Sequence, residues 1–391
     1  MKNELRIAVM GDVCMEEYQD KMDAARAKGL LREVKPILDS ADLRIANLEN
    51  AIVEPTNPIA KCGPNLWQKP ENMCFFKEAG VELCTLANNH TGDFGPEGMM
   101  NTIRELDRQG FGHVGAGKNL DAAYRPWYRD TEAGRLAVCS FCENEFGGAT
   151  LDTVGSAGFD QHRVAVALRE ARENADFVLV IMHGGTEYNP VPSVGVRGRY
   201  RTFVDLGADA VIGMHPHCMQ GHEVYQGAPI VYSPGNFLFR GHPDSAPSWF
   251  CGYMVELVFR KDGLPTIALH PYRYNLDLTL IHLFEGEEKE KVLAYIERLS
   301  AYLADERALR EWFDGWCMIT GPGHAKFAFD EKYLDETNFP KGHPMLAVRN
   351  IRTCEAHNEL VTNLCRVILE GRVEQARKMV PAIREMQKMP V

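Results

Sequence analysis

Apolar positions in the first two-thirds of the chain fall into two alternating patterns. Compact apolar runs at 5–10, 43–48, 81–87, 135–141 and 176–182 have the length and β-branched character of buried strands. Between them lie stretches of helical period. Pro96 opens one in which Met99, Ile103 and Leu106 fall at i, i+4 and i+7, and Gly110 closes it. Asp160 stands where it caps a second helix that carries Val164, Leu168, Ala171 and Ala175 on one face. A third runs through Phe203 and Leu206 to Gly207. Runs at 208–212 and 229–232 read as further strands, and 253–259 with 266–269 as a hairpin about Lys261-Asp262-Gly263. This alternation predicts an α/β fold.

The pattern changes near residue 285. Segments 287–303 and 308–316 are helical and charged, an irregular aromatic stretch follows to about Pro344, and 346–389 reads as two or three helices. The expected organisation is therefore an α/β domain over 1–284 and a helical extension over 285–391 packed on it.

Almost every strong strand ends in a polar side chain able to bind a metal. The 5–10 run leads to Gly11-Asp12, 43–48 to Glu49, 81–87 to Asn88-Asn89-His90, 176–182 to His183, and 208–212 to His215-Pro216-His217. In an open α/β sheet, ligands collect beyond the carboxyl ends of the strands, so the fold itself would gather these groups. Taken singly, each has an ordinary reading: Gly11-Asp12 as a turn, Glu49 as a solvated charge, His183 as a core histidine. Two imidazoles flanking a proline rarely serve packing, and the ordered set is more specific than any member. Carboxylate, carboxamide and imidazole donors suit one or two divalent ions, with Mn, Fe or Zn all compatible.

Composition adds exclusions. A formal net charge of −11 argues against a nucleic-acid partner, which would need a basic face. No run approaches the ~20 apolar residues of a membrane span, and the first apolar run is too short for a signal-peptide core. The expectation is a cytoplasmic protein without a membrane anchor. Eleven scattered cysteines, with Cys139 and Cys142 the lone C-x-x-C, read as reduced, mostly buried small side chains. Oligomeric state leaves no trace in the sequence.

Several strings together resemble the CapA family of capsule and poly-γ-glutamate biosynthesis proteins, which is related to the calcineurin-like metallophosphoesterases. They are Gly11-Asp12, Asn47-Leu48-Glu49, Leu86-Ala87-Asn88-Asn89-His90 with Asp93 and Gly95, and His113-Val114-Gly115-Ala116-Gly117. His183-Gly184-Gly185-Thr186-Glu187-Tyr188, the run from Gly207 to His217 with Gln220-Gly221, and Tyr232-Ser233-Pro234-Gly235-Asn236-Phe237 complete the set. The likeness spans roughly 5–275. It implies a four-layer α/β/β/α sandwich with a mono- or dinuclear metal site. Asp12 and His217 would hold the first metal, Glu49 would bridge, and Asn89, His183 and His215 would hold the second. His90 would serve as proton donor or anion-stabilising cation. Asp93 would either orient His90 or cap the following helix.

The chain departs from the phosphoesterase pattern in three places. An Asp-x-His motif stands here as Asp12-Val13-Cys14, the bridging aspartate is Glu49, and His-Trp-Gly is replaced by His183-Gly184-Gly185. For substrate contact, Lys61 beside Gly63-Pro64, Arg240, and Arg197, Arg199 and Arg201 are the cationic candidates. Glu143, Asn144 and Glu145 are placed to form a pocket rim, and Glu187 follows His183 closely enough to line the same site. The expected activity is metal-dependent hydrolysis, by activated water, of a phosphoester or a γ-glutamyl-type amide in an anionic small-molecule or oligomeric substrate. The competing expectation is a non-catalytic accessory role in anionic-polymer synthesis.

Overall fold

The computed structural model describes residues 3–16, 22–241, 244–326 and 344–391. Two sheets face one another. The first runs Ile281–Leu283, Gly263–Tyr274, Cys251–Arg260, Glu4–Val13, Leu43–Leu48, Leu83–Thr85, Gly112–Val114, with Asn236–Leu238 alongside the end of Glu4–Val13. The second runs His222–Tyr225, Ala228–Val231, Ala210–Met214, Phe177–His183, Gly134–Cys142, Trp127–Thr131. The central strands of each sheet are parallel, so their carboxyl ends share one rim.

Period-two burial builds the layers. Ile7, Val9, Ile45 and Leu83 of the first sheet join Leu136, Val138 and Val180 of the second in one buried cluster. The alternate positions Ala8, Met10, Ala46 and Leu48 turn the other way, against Leu30, Phe75, Phe76, Met99 and Leu106 of the helices Ala24–Leu31, Cys74–Ala79 and Gly95–Gln109. Helices Gln161–Asn174 and Val194–Asp205 cover the second sheet through Leu168, Tyr200 and Phe203. The result is a four-layer α/β/β/α sandwich, as expected.

Local signals hold where they rest on specific chemistry. Asp160 accepts from the Arg163 amide at 2.9 Å, and Gly110 ends its helix at φ 82°. Pattern reading misses Trp127–Thr131 and His222–Tyr225, edge strands whose residues are largely half-buried or exposed and so lack an apolar face.

Past residue 285 the described helices are Gly286–Ala304, Glu306–Ala325, Pro344–Thr353, Glu355–Leu369 and Val373–Met386. Most of the irregular aromatic stretch lies outside the described residues. The helices are continuous with the core: Leu299, Trp312, Trp316, Leu364 and Ile383 belong to the same buried cluster as Val211 and Val231. The Trp312 indole donates to the Asn189 side-chain oxygen at 2.9 Å.

Gly11 fixes the approach of two backbones at the rim. A Cβ there would lie 1.8 Å from the Gly235 carbonyl oxygen, which is also the acceptor for the Asp12 amide at 3.3 Å. Neither partner is a flexible side chain. Gly11→Ala is therefore expected to lower unfolding free energy by about 3 kcal/mol, at the upper end of ordinary overpacking. Denaturant unfolding of the two proteins checks this; equal midpoints and slopes would contradict it.

Candidate metal centre

Asp12 lies in the last part of its strand, in register with Asn47 and Asn236. Glu49 follows the neighbouring strand, its amide held by the Val13 carbonyl at 3.0 Å. The loop after Leu83–Thr85 is shaped by Asn88, whose side-chain oxygen accepts from the amides of His90 at 3.0 Å and Thr91 at 2.8 Å. That turn presents Asn89 and His90 on the rim. His183 ends its strand.

His215 and His217 reach the same point only through unusual backbone, with φ of 99° and 53° on either side of Pro216. Left-handed conformations at non-glycine residues cost of order 1–3 kcal/mol each and are found where the side-chain direction matters.

All six expected donors converge, and all are buried. His183 Nε2 lies 3.1 Å from Asn89 Oδ1, 3.1 Å from His215 Nδ1 and 3.6 Å from Glu49 Oε1. His217 Nε2 is 3.7 Å from Glu49 Oε1, and His217 Nδ1 is 3.7 Å from Asp12 Oδ2. One ring nitrogen can satisfy at most one of these neighbours through a proton. Glu49 Oε1 has no hydrogen-bond partner although it is fully buried. Lone pairs aimed at a common point, with too few protons between them, are the donor set of a cation site. Glu49, His215 and His217 each offer a ligand atom within 4.8 Å of the others, as do Asp12, Glu49 and His183.

Electrostatics agrees. Burial, reinforced for Glu49 by the Asp12 charge, pushes the Asp12 carboxyl up and the Glu49 carboxyl far up. Burial, then the neighbouring imidazoles, holds His183 far below its usual range. Burial likewise takes His217 down to about 4. Neutral imidazoles are the form that binds metal, and a divalent charge would return the carboxyls to their ionised state.

Sequence reading quoted Asn47 within a matching string but gave this hub of the centre no role. Asn47 Nδ2 lies 2.7 Å from Asp12 Oδ1, 3.2 Å from His183 Nδ1 and 3.4 Å from Glu49 Oε2. Its oxygen accepts from Thr85 and Asn88, both at 3.1 Å. The signal was its position two residues before Glu49, at the carboxyl end of the strand. Asn236, whose side-chain oxygen stands 2.8 Å from His217 Nδ1, was left without a role in the same way.

Beside this cluster, His90 Nδ1 is 2.7 Å from Asp93 Oδ2 and 3.2 Å from Lys61 Nζ, and Lys61 also pairs with Asp93. Asp93 thus orients His90. It does not cap the next helix, whose N-cap is Phe94 without a side-chain bond. Cys14 packs with Leu66 and Phe239 in an apolar cluster, and burial pushes its thiol well up. At Gly184, a Cβ would lie 2.5 Å from the Glu143 side chain, which fills the space a larger residue would need.

A cavity of about 550 Å³ opens from the His90 side. Lys61, Asn89, His90, Glu145 and Glu187 line it from the α/β part, and His324, Asn350 and His357 from the helical extension. Nothing in the extension's sequence pattern marked those three. Arg240 is exposed and does not line this cavity. Three other arginines serve structure: Arg197 binds Glu306 and the Leu303 carbonyl, Arg199 binds Glu143, and Arg201 binds Glu223. A larger cavity, about 960 Å³, lies between the extension's helices and helix Val194–Asp205 and contains none of the converging donors.

The α/β/β/α sandwich thus carries carboxylate, carboxamide and imidazole donors together on its shared rim. A family model described as the bacterial capsule synthesis protein PGA_cap matches residues 6–241, and the chain belongs to that family. It is 31% identical over 246 residues to the capsule biosynthesis protein CapA of Bacillus anthracis, covering 60% of each chain. It is 32% identical over 240 residues to the PGA biosynthesis protein CapA of Bacillus subtilis, covering 60% of this chain and 63% of that one. A probable polyglutamine synthesis accessory protein of Mycobacterium tuberculosis is 29% identical over 211 residues, 50% of this chain and 55% of its own. The chain thus spans about three-fifths or less of the length of these relatives. Among the described residues no helix is long and apolar enough to cross a membrane.

Proposed function

We propose that this protein is a metal-dependent hydrolase whose centre is held by Asp12, Glu49, Asn89, His183, His215 and His217. The observation that carries the reading is the buried convergence of these donors around the unpartnered Glu49 Oε1. Asp12, Glu49 and His183 form one close group of donors and Glu49, His215 and His217 another, so one or two ions of Mn, Fe or Zn fit the donor chemistry. A bound ion would activate water and neutralise negative charge on the substrate.

The chain's own groups do the rest. His90, set by Asp93 and Lys61, faces the cavity and moves a proton to or from the leaving group. Lys61 and Glu187 on the cavity wall contact the substrate. The 550 Å³ volume suits a small molecule or one end of an oligomer. The scissile bond is a phosphoester or a γ-glutamyl-type amide, and the names of the capsule and PGA relatives favour an anionic, polymer-related substrate. We place the protein in the cytoplasm and the domain boundary near residue 284.

The test is hydrolysis of bis-p-nitrophenyl phosphate and γ-glutamyl-p-nitroanilide by the full chain, loaded separately with Mn, Fe and Zn and then treated with chelator. Turnover of either probe that chelation abolishes supports the reading. The name of the Mycobacterium tuberculosis relative favours a second reading, a metal-holding accessory protein without turnover, and stoichiometric metal with neither probe hydrolysed would select it.

His90→Asn is expected to lower kcat by about 10²–10⁴ while bound metal stays unchanged. Burial, and then the Lys61 charge, lowers the His90 pKa below 6.5. If His90 donates a proton, the active form is the protonated one, and the fall of kcat with rising pH begins below that value. The pH–rate profile of the variant should lack this limb; an identical profile would assign the proton elsewhere.

A further inference from the structure

Outside the centre, a second group of dissimilar donors meets where the extension touches the α/β part. Glu145 comes from the loop after Gly134–Cys142. Cys354 is the N-cap of helix Glu355–Leu369, and His357 lies in its first turn. One ligand atom from each lies within 4.8 Å of the other two. Glu145 Oε1 and His357 Nδ1 are 3.7 Å apart. That is too long for a hydrogen bond and too short to admit a bridging water, but it is close to the ~3.4 Å edge of a tetrahedral zinc site.

Asn350 supplies an independent sign. It is 7% exposed, and its Nδ2 lies 3.2 Å from Glu145 Oε1 and 3.3 Å from His357 Nδ1. Its Oδ1 is buried with no partner. A half-turn of the carboxamide exchanges the two atoms: the oxygen then lies between Glu145 and His357 as a fourth donor, and the amide nitrogen takes the buried position it leaves. Cys354 is 1% exposed, and its sulfur contacts Glu143 Oε2 at 3.4 Å. A helix N-terminus favours a thiolate, but burial and the carboxylates of Glu143, Glu145 and Glu355 oppose it. A cation reverses that balance.

We propose that Glu145, Cys354 and His357, with the Asn350 carboxamide, form a further metal site for a borderline-soft divalent ion of the zinc type. Its donor set contains sulfur, whereas the six donors of the proposed catalytic centre are oxygen and nitrogen. The ion would fasten the extension to the 143–145 loop, and its ligands Glu145 and His357 also line the cavity beside His90. The site does not depend on whether the protein hydrolyses anything.

The thiolate makes it separately visible. Full-length protein is stripped with chelator and titrated with Co²⁺ while absorbance is followed in the near-ultraviolet, where thiolate-to-cobalt charge transfer appears. Wild type is expected to develop this band. Cys354→Ser is expected to lose it and one equivalent of bound metal, with far-ultraviolet circular dichroism unchanged. Cys14→Ser and Cys365→Ser are expected to keep it. No band in wild type, a band that survives Cys354→Ser, or one that vanishes in Cys14→Ser overturns the proposal. Should Cys354→Ser not fold, His357→Gln retains the thiol and is expected to weaken Co²⁺ binding at this band at least ~10-fold. Unchanged affinity there overturns it equally.

Discussion

Glu49→Gln should remove bound divalent metal and reduce hydrolysis by roughly three orders of magnitude, about 4 kcal/mol in transition-state free energy. The substitution keeps the shape of the side chain and removes the charge at the point where both halves of the donor cluster meet. Its effect on stability has the opposite sign. In the metal-free protein, Glu49 is a fully buried carboxyl beside Asp12 with one oxygen unpartnered, and burial followed by the Asp12 charge raises its pKa far above 4.5. A carboxyl with a raised folded pKa stabilises fully only below its unfolded pKa, and that contribution is lost as pH rises towards the folded value. At neutral pH the metal-free wild type therefore carries a penalty that glutamine does not.

Thermal unfolding with chelator should thus show Glu49→Gln melting above wild type near pH 7, with the gap closing in acid. With metal added, wild type should melt above the variant. Metal content equal to wild type, with hydrolysis intact, would remove Glu49 from the centre.

The second large effect concerns Glu143. It is 5% exposed, accepts from Arg199 at 2.6 Å and from the Ala356 amide at 3.3 Å, and its own amide donates to the His183 carbonyl at 3.0 Å. One residue thus ties the helix Val194–Asp205, the start of Glu355–Leu369 and the strand end that carries His183. Glu143→Ala leaves the Arg199 guanidinium, itself 11% exposed, without its partner. Breaking a buried pair from one side costs about 3–5 kcal/mol, and unfolding free energy at pH 7 should fall by that amount.

The pH dependence follows from the direction of the shift. Burial alone would raise the Glu143 carboxyl, but Arg199 outweighs it and holds the folded value below 4.5. A depressed carboxyl contributes stability above its unfolded pKa, and that stability is lost as pH falls through the folded value. The difference between wild type and Glu143→Ala should therefore be full at neutral pH and shrink in strong acid. Denaturant unfolding at several pH values measures it; a variant within 1 kcal/mol of wild type at pH 7, the scale of a surface ion pair, would contradict the assignment.

Much of this architecture was written locally. The strands at 43–48 and 176–182, the Asp160 cap and the Gly110 stop rest on interactions within a few residues, and the structure places them within a residue or two. The donors were legible for a related reason. A parallel strand must end on the rim, so a polar side chain just after an apolar run is delivered there whatever the loops do. Asp12, Glu49, Asn89, His183, His215 and His217 all follow that rule, and the family resemblance added their grouping.

What the linear pattern did not contain is what depends on partners distant in sequence. Asn47 looks like an ordinary strand residue until Asp12 and His183 are brought beside it from 35 and 136 residues away. Arg199 reads as a candidate anion clamp, yet Glu143 neutralises it from 56 residues away. His324, Asn350 and His357 belong to helices whose periodicity speaks only of packing, and their place on the cavity wall comes from how those helices dock. The sequence by itself determined which chemistry reaches the rim, because strand ends and loop residues are local properties. The tertiary structure decided which charges stay available and what closes the cavity, because burial and pairing are set by contacts that no local pattern encodes.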